Sequence, residues 1–146
     1  MKEIDGFGWN ALTVSFIGTV FFGVVGVKAL GHQSRLIWRN QSGSSVSKVW
    51  YLVATANGTV FLIYGLDKSN LALVIIFFLR VPFILPILIG LWKFQGFNRR
   101  ELLLVPLLLD ATVWMAVSTE KDLFYLSFTM AGVIMDISPP WKICQK

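Results

Sequence analysis

Long apolar runs separated by short polar turns constrain this chain more than any other feature. Five stretches qualify: Trp9 to Ile37, Val49 to Gly65, Leu71 to Trp92, Leu102 to Ser118 and Leu123 to Ser138. Roughly 20 such residues cross the hydrocarbon core of a bilayer. Over its 146 residues the chain is 55% hydrophobic and 14% charged, with a mean hydropathy of +0.68. A soluble domain of this size has too little interior to hide that much apolar surface. The solvent is therefore lipid, and the expected fold is an all-α integral membrane protein with five transmembrane helices.

A net charge of +5 in a soluble chain would suggest nucleic acid. Here the cations sit between apolar stretches and act as topology signals, so no nucleic-acid partner is expected. A single cysteine, Cys144, excludes an intrachain disulfide and a cysteine metal cluster, and the single histidine, His32, excludes a multi-histidine site. No metal or cofactor is expected. The N-terminus lacks a basic region leading into a short apolar core and a small-residue cleavage site, so no signal peptide is expected.

The Lys and Arg residues alternate from turn to turn. Lys2 precedes the first span; Arg35, Arg39 and Lys48 flank the first turn, Lys68 the second, Lys93, Arg99 and Arg100 the third, and Lys121 the fourth. Lys142 and Lys146 follow the fifth span. By the positive-inside rule the N-terminus lies outside, and the first turn, the third turn and the C-terminus lie in the cytoplasm.

The first span is longer than a bilayer requires, which predicts a tilted or broken helix. Gly18, Gly23 and Gly26 would give it a face for close helix packing. Lys28, His32 and Arg35 recur at helical spacing and share a stripe, while Arg35 and Arg39 are suited to snorkelling into the headgroups. The short polar turn Asn40–Ser47 predicts an antiparallel hairpin with the second span. Pro82, Pro86 and Pro106 each free a backbone carbonyl that a neighbour or water must satisfy.

Around the first turn the order is Gly31-His32-Gln33, then Ser42, then Ser45-Val46-Ser47, with the second span closing at Phe61-Leu62-Ile63-Tyr64-Gly65. This pattern resembles the PQ-loop family, which includes the SWEET and SemiSWEET sugar transporters and the lysosomal cystine and cationic amino acid carriers. His32 stands where that family places a proline. The resemblance implies a three-helix bundle over residues 9–92, a cytoplasmic loop and linker helix over 93–118, and a partial second repeat over 119–146. Setting Pro140 on His32 places Trp141 on Gln33 and Asp136 opposite Lys28. Gly31, His32 and Gln33, with Pro139 and Pro140 in the second copy, would then be hinge positions.

In such carriers no covalent chemistry occurs: polar groups in a midplane cavity replace water around a solute, and the bundles rock to alternate access. Asn57, which donates and accepts hydrogen bonds, and the aromatic Phe61 and Tyr64 are the candidate substrate-binding residues. Asn57 could equally bond a neighbouring helix, and the two aromatic rings could equally serve packing or interfacial anchoring. Lys28, Arg80, Asp110 and Asp136 each cost about 2.5–3.5 kcal/mol at mid-helix on insertion scales, so they should be paired or in a wet cavity. Lys28 with Asp136 and Arg80 with Asp110 are the expected pairs; a proton relay through Asp110 and direct binding of a charged solute remain the alternatives.

The expected function is a small-solute carrier for sugars or amino acids, working by alternating access. The alternatives are a non-transporting membrane receptor or assembly partner of the same fold, and a truncated fragment of a seven-helix transporter. Expected partners are the bilayer, the solute and, for the unmatched fifth helix, a second copy or another membrane protein. With no nucleophile–base pair, phosphate loop or metal-ligand set, an enzyme is not expected.

Overall fold

A computed structural model describes residues 8–44 and 46–137, with side chains through Gly132. Among the described residues it holds five α-helices: α1 Ala11–Asn40, α2 Lys48–Asp67, α3 Leu71–Gln95, α4 Arg99–Val117 and α5 Lys121–Ile137. Among the described residues α1, α2 and α3 are long and apolar enough to cross a bilayer. The other two helices fall outside that group: α4 carries Arg99, Arg100 and Glu101 in its first turn and Asp110 further on, and α5 has 17 described residues.

Side chains are distributed for lipid. The buried core is small, centred on Ile37, Tyr51, Ile87 and Leu91. Phe21 and Phe22 are 62% and 72% exposed, Leu103 and Trp114 69% and 68%. Water would not tolerate such faces at this density, whereas lipid tails cover them without cost.

Asparagine and serine side chains start the helices. The Asn10 carboxamide accepts from Thr13 N–H at 2.9 Å, Ser47 Oγ from Trp50 N–H at 3.3 Å, and Asn70 from Leu73 N–H at 3.2 Å. Asn98 and Glu101 form a capping box on α4, with Asn98 N–H donating to Glu101 at 2.7 Å. At the far end of α1, Gln41 turns left-handed at φ 48° and its N–H reaches Ile37 O.

The order of packing differs from the order of the chain. α3 packs on both α1 and α2, and α2 in turn carries α4 and α5. The first two helices are antiparallel, as the short turn predicted, yet they are not a packed hairpin: α3 lies between them. The connecting turn passes over the end of α3, where Gly43 is buried and a β-carbon would overlap Leu91. Close approach also marks the α1–α3 seam. A β-carbon on Gly23 would stand 3.0 Å from Ile76, one on Gly31 3.3 Å from Phe83, and one on Gly90 2.8 Å from Ile37. Trp38 Nε1–H donates across this seam to Pro86 O at 3.0 Å.

Two further sequence expectations change. α1 runs unbroken through Gly31, His32 and Gln33, so no hinge interrupts it. His32, unlike a proline, keeps its backbone N–H and continues the helical ladder, and Gly31 serves packing on Phe83. The second helix does not stop at Gly65 but continues to Asp67; Gly65 is buried where α3 begins, with a β-carbon there 3.0 Å from Leu73. Of the three expected packing glycines only Gly23 meets a neighbour, since the Gly18 and Gly26 positions are open.

Ion pairs join the turns at each end of the bundle. At one end Lys48 bonds Glu101 at 3.0 Å and Gly96 O at 2.9 Å, tying the first turn to the third. At the other, Lys68 pairs with Asp122 at 3.1 Å and Lys121 with Asp67, tying the second turn to the fourth.

Candidate functional site

Interposing α3 leaves a gap between α1 and α2, and this gap is a cavity of about 330 Å³. Its walls come from Gly26, Ala29 and Gln33 of α1, from Tyr51, Ala54 and Asn57 of α2, from Arg80 and Ile84 of α3, and from Gly132 of α5. Small residues create the volume: Gly26 has nothing within 4 Å of where a β-carbon would be. Tyr51, Ala54 and Asn57 recur every three residues, which sets one polar and small stripe of α2 toward the space. The volume lies at the small end of the ~300–1,000 Å³ range in which proteins hold small molecules.

Asn57 is the exceptional group. Its Oδ1 is buried and, among the described residues, has no hydrogen-bond partner. Its Nδ2 lies 3.0 Å from the position a β-carbon on Gly132 would take, so the carboxamide approaches α5 closely where residue 132 has no side chain. An unsatisfied buried acceptor costs about 1–3 kcal/mol. The neighbouring hydroxyls make local bonds instead: Thr55 Oγ1–H donates to Tyr51 O at 2.7 Å and Thr59 Oγ1–H to Thr55 O at 3.1 Å.

Gln33, Asn57 and Arg80 thus share one cavity although 47 positions of sequence separate the first from the last. Phe61 and Tyr64 do not line it. They lie one and two turns further along α2, where Tyr64 stacks on Tyr125 at 4.2 Å and Phe61 tilts against the same ring at 5.4 Å. The Tyr64 hydroxyl donates to Asp122 at 2.8 Å, which anchors the ring outside the cavity. There it borders a second space of about 280 Å³ with Ser15, Thr19, Asn70 and Tyr125.

The charged candidates separate. Arg80 lines the cavity, whereas Lys28 is exposed on α1 and Asp110 is exposed on α4. α4 packs on α2, so the expected Arg80–Asp110 neighbourhood on adjoining helices is replaced by a different packing order. Asp136 belongs to α5, but its side chain lies outside the described residues, and so do Pro139 and Pro140. His32 is exposed and Gly31 faces Phe83. Sequence reasoning missed Tyr51 and Gly132. The three-residue recurrence ending at Asn57 could have revealed Tyr51; Gly132 carried no local signal, because its role depends on which helix α5 meets.

Among the described residues no group of three His, Cys, Asp or Glu could hold a metal ion. No protein-family model matches the chain, and none of the curated proteins or solved structures compared with it matches either.

Proposed function

We propose that this chain is a small-solute carrier whose α1–α2–α3–α5 cavity binds a polar solute of the sugar or amino acid class. The observation that carries this reading is Asn57 Oδ1, a buried acceptor left without a partner on the wall of a cavity of about 330 Å³. A solute hydroxyl or ammonium donates to that oxygen. The Asn57 and Gln33 amides and the Tyr51 hydroxyl offer complementary donors and acceptors, and Arg80 contributes donors suited to a carboxylate or hydroxyl. The cavity walls come from four helices, so relative rocking of those helices changes which side the solute can leave from.

In this reading all five helices cross the bilayer, the N-terminus lies outside, and the fold is that of a PQ-loop relative with one bundle, a linker helix and the start of a second bundle. Support comes from the ion pairs: Lys48 with Glu101 groups the two most cationic turns at one end of the bundle. The opposite end has its Lys68 and Lys121 balanced by Asp122 and Asp67. A charge asymmetry of that kind orients helices in membranes.

The unbroken α1 favours a second reading, a non-transporting receptor or assembly partner of the same fold, because a rocking carrier of this kind uses a hinge where Gly31, His32 and Gln33 continue a helix. Thermal stability of the purified protein across a panel of sugars and amino acids separates the two. A ligand that binds the folded state raises the melting temperature with its concentration, and a carrier predicts a saturable rise lost in Asn57→Ala, together with uptake of the same solute into reconstituted vesicles. A panel without any shift, from a monodisperse sample, supports the second reading.

A further inference from the structure

Two charged side chains on the outer surface of the bundle face away from each other. Lys28 is exposed on α1, Asp110 is exposed on α4, and among the described residues neither forms a hydrogen bond or ion pair. Packing explains their direction. α1 meets α3 through Gly23, Gly31 and Ile37, and Lys28, which is exposed, lies about 140° around the helix from Gly23, 180° from Ile37 and 60° from Gly31. The buried residues of α4 are Thr112 and Met115, and Asp110, two residues before Thr112, lies about 200° around the helix from it.

The two side chains lie at similar depths, one helical turn apart. Gly23 faces Ile76 and Gly31 faces Phe83, so Lys28 is level with residue 81 of α3, about 15 Å by helical rise from Leu71 and from Trp92. Lys48 is bonded to Glu101, so the nine residues from Glu101 to Asp110 bring the carboxylate level with Asn57 of α2. Gly58 faces Phe77, which returns that level to Val24–Val25 of α1. Lys28 and Asp110 therefore differ in depth by about 5 Å, within the reach of one lysine side chain.

Each charge closes or interrupts an exposed apolar seam with the 3-4 spacing of interlocking helices. On α1 the seam is Val14, Ile17, Phe21 and Val24, then Lys28; on α4 it is Leu103 and Leu107, then Asp110, then Trp114 and Val117. Every apolar member is between 42% and 82% exposed. The two helices run in opposite directions through the bundle, so aligning Lys28 with Asp110 sets Val24 beside Trp114 and Phe21 beside Val117.

We infer that the outer face of α1 in one copy of this chain docks on the outer face of α4 in a second copy, with Lys28 of the first paired to Asp110 of the second. The two faces belong to opposite ends of the packing order α1–α3–α2–α4, so the contact is head-to-tail rather than reciprocal, and it builds a ring or row of copies instead of a twofold dimer. The pairing is independent of what the cavity binds, but it rests on α4 crossing the bilayer.

The test measures the mass of the full chain, with Cys144→Ser, in detergent and in lipid nanodiscs. The wild-type surface forms an assembly of more than one copy. Lys28→Ala alone and Asp110→Ala alone are each a single copy, and an equal mixture of the two forms a two-copy species that grows no further, because each variant retains one intact half. The charge exchange Lys28→Asp with Asp110→Lys in the same chain restores the larger assembly, which a misfolded variant could not do. A single-copy wild type in both environments, an assembly unchanged by either alanine, or a mixture that stays single-copy overturns the inference. Labelling Thr119→Cys with a membrane-impermeant reagent from each side reports separately whether α4 crosses.

Discussion

The Asn57 carboxamide nitrogen lies 3.0 Å from the point where a β-carbon on Gly132 would stand. That proximity couples the polar group of the cavity to the helix that closes it. In Gly132→Ala the carboxamide must give way by a few tenths of an ångström. The fold should lose no more than about 1 kcal/mol, while solute affinity falls roughly tenfold, equivalent to about 1.4 kcal/mol of binding. Parallel thermal melts with and without solute check both halves of this expectation.

Asn57→Leu should separate stability from function. The substitution removes a buried acceptor that bonds nothing among the described residues, so the melting temperature of the solute-free protein rises; about 1–3 kcal/mol of desolvation cost is at stake. The solute-dependent rise disappears with the same change. A fall in stability of the solute-free protein would show that the carboxamide serves the fold.

Gly90→Ala tests the α1–α3 seam. Its β-carbon would lie 2.8 Å from Ile37 Cγ2 and 3.4 Å from Trp38 Nε1, in a region where Ile37 and Leu91 are almost wholly buried. Overpacking a core of this kind costs about 1–3 kcal/mol. The melting temperature should drop, whereas Gly18→Ala, with open space around it, should leave it unchanged.

Lys48 and Lys68 both form ion pairs, and exposure predicts different consequences. The Lys48 and Glu101 side chains are 16% and 17% exposed, against 44% and 71% for Lys68 and Asp122. Lys48→Met should cost about 1–3 kcal/mol, between the values for surface and fully buried pairs. Lys68→Met should cost clearly less, a ranking that paired denaturation curves can establish.

Acid should loosen the turn-two end of the bundle. Hydrogen bonds from the Tyr64 hydroxyl and the Lys68 ammonium hold the Asp122 carboxyl below its ordinary value. A carboxyl whose folded value is depressed contributes stability at neutral pH and loses it as pH falls through the carboxylate range. Tyr64→Phe removes the larger of the two causes. The gap in melting temperature between wild type and Tyr64→Phe should therefore be widest near neutral pH and close in acid.

Much of this architecture was legible because it is written in local patterns. The helices follow the apolar runs, and their caps at Asn10, Ser47, Asn70 and Asn98 are residue types whose side chains accept from a free backbone N–H. The cavity was legible in part: Asn57, Gln33 and Arg80 stand out as polar groups in apolar helices. Phe61 and Tyr64 lie outside the larger cavity, because a one-dimensional pattern gives the face of a helix but not which neighbour covers it, and Tyr125 of α5 takes that position. The same limit hid Gly132. The expected hairpin of α1 and α2 was correct in direction and wrong in contact, since a short turn constrains where two helices end without deciding whether a third helix enters between them.

That third helix is also the last of the three to be synthesised. α1 and α2 are synthesised before Leu71, as two segments whose main packing surfaces await a partner. Ile37 has no Gly90 to close on and Gly43 has no Leu91 beneath it, so the first half of the chain is a slot before it is a bundle. Translation intermediates should accordingly show no crosslink between α1 and α2 across that slot; a crosslink between positions 37 and 90 should appear only after Gln95 has emerged. A pause in translation between Asp67 and Gln95 would leave the slot open to any other apolar helix, making the timing of α3 a determinant of assembly.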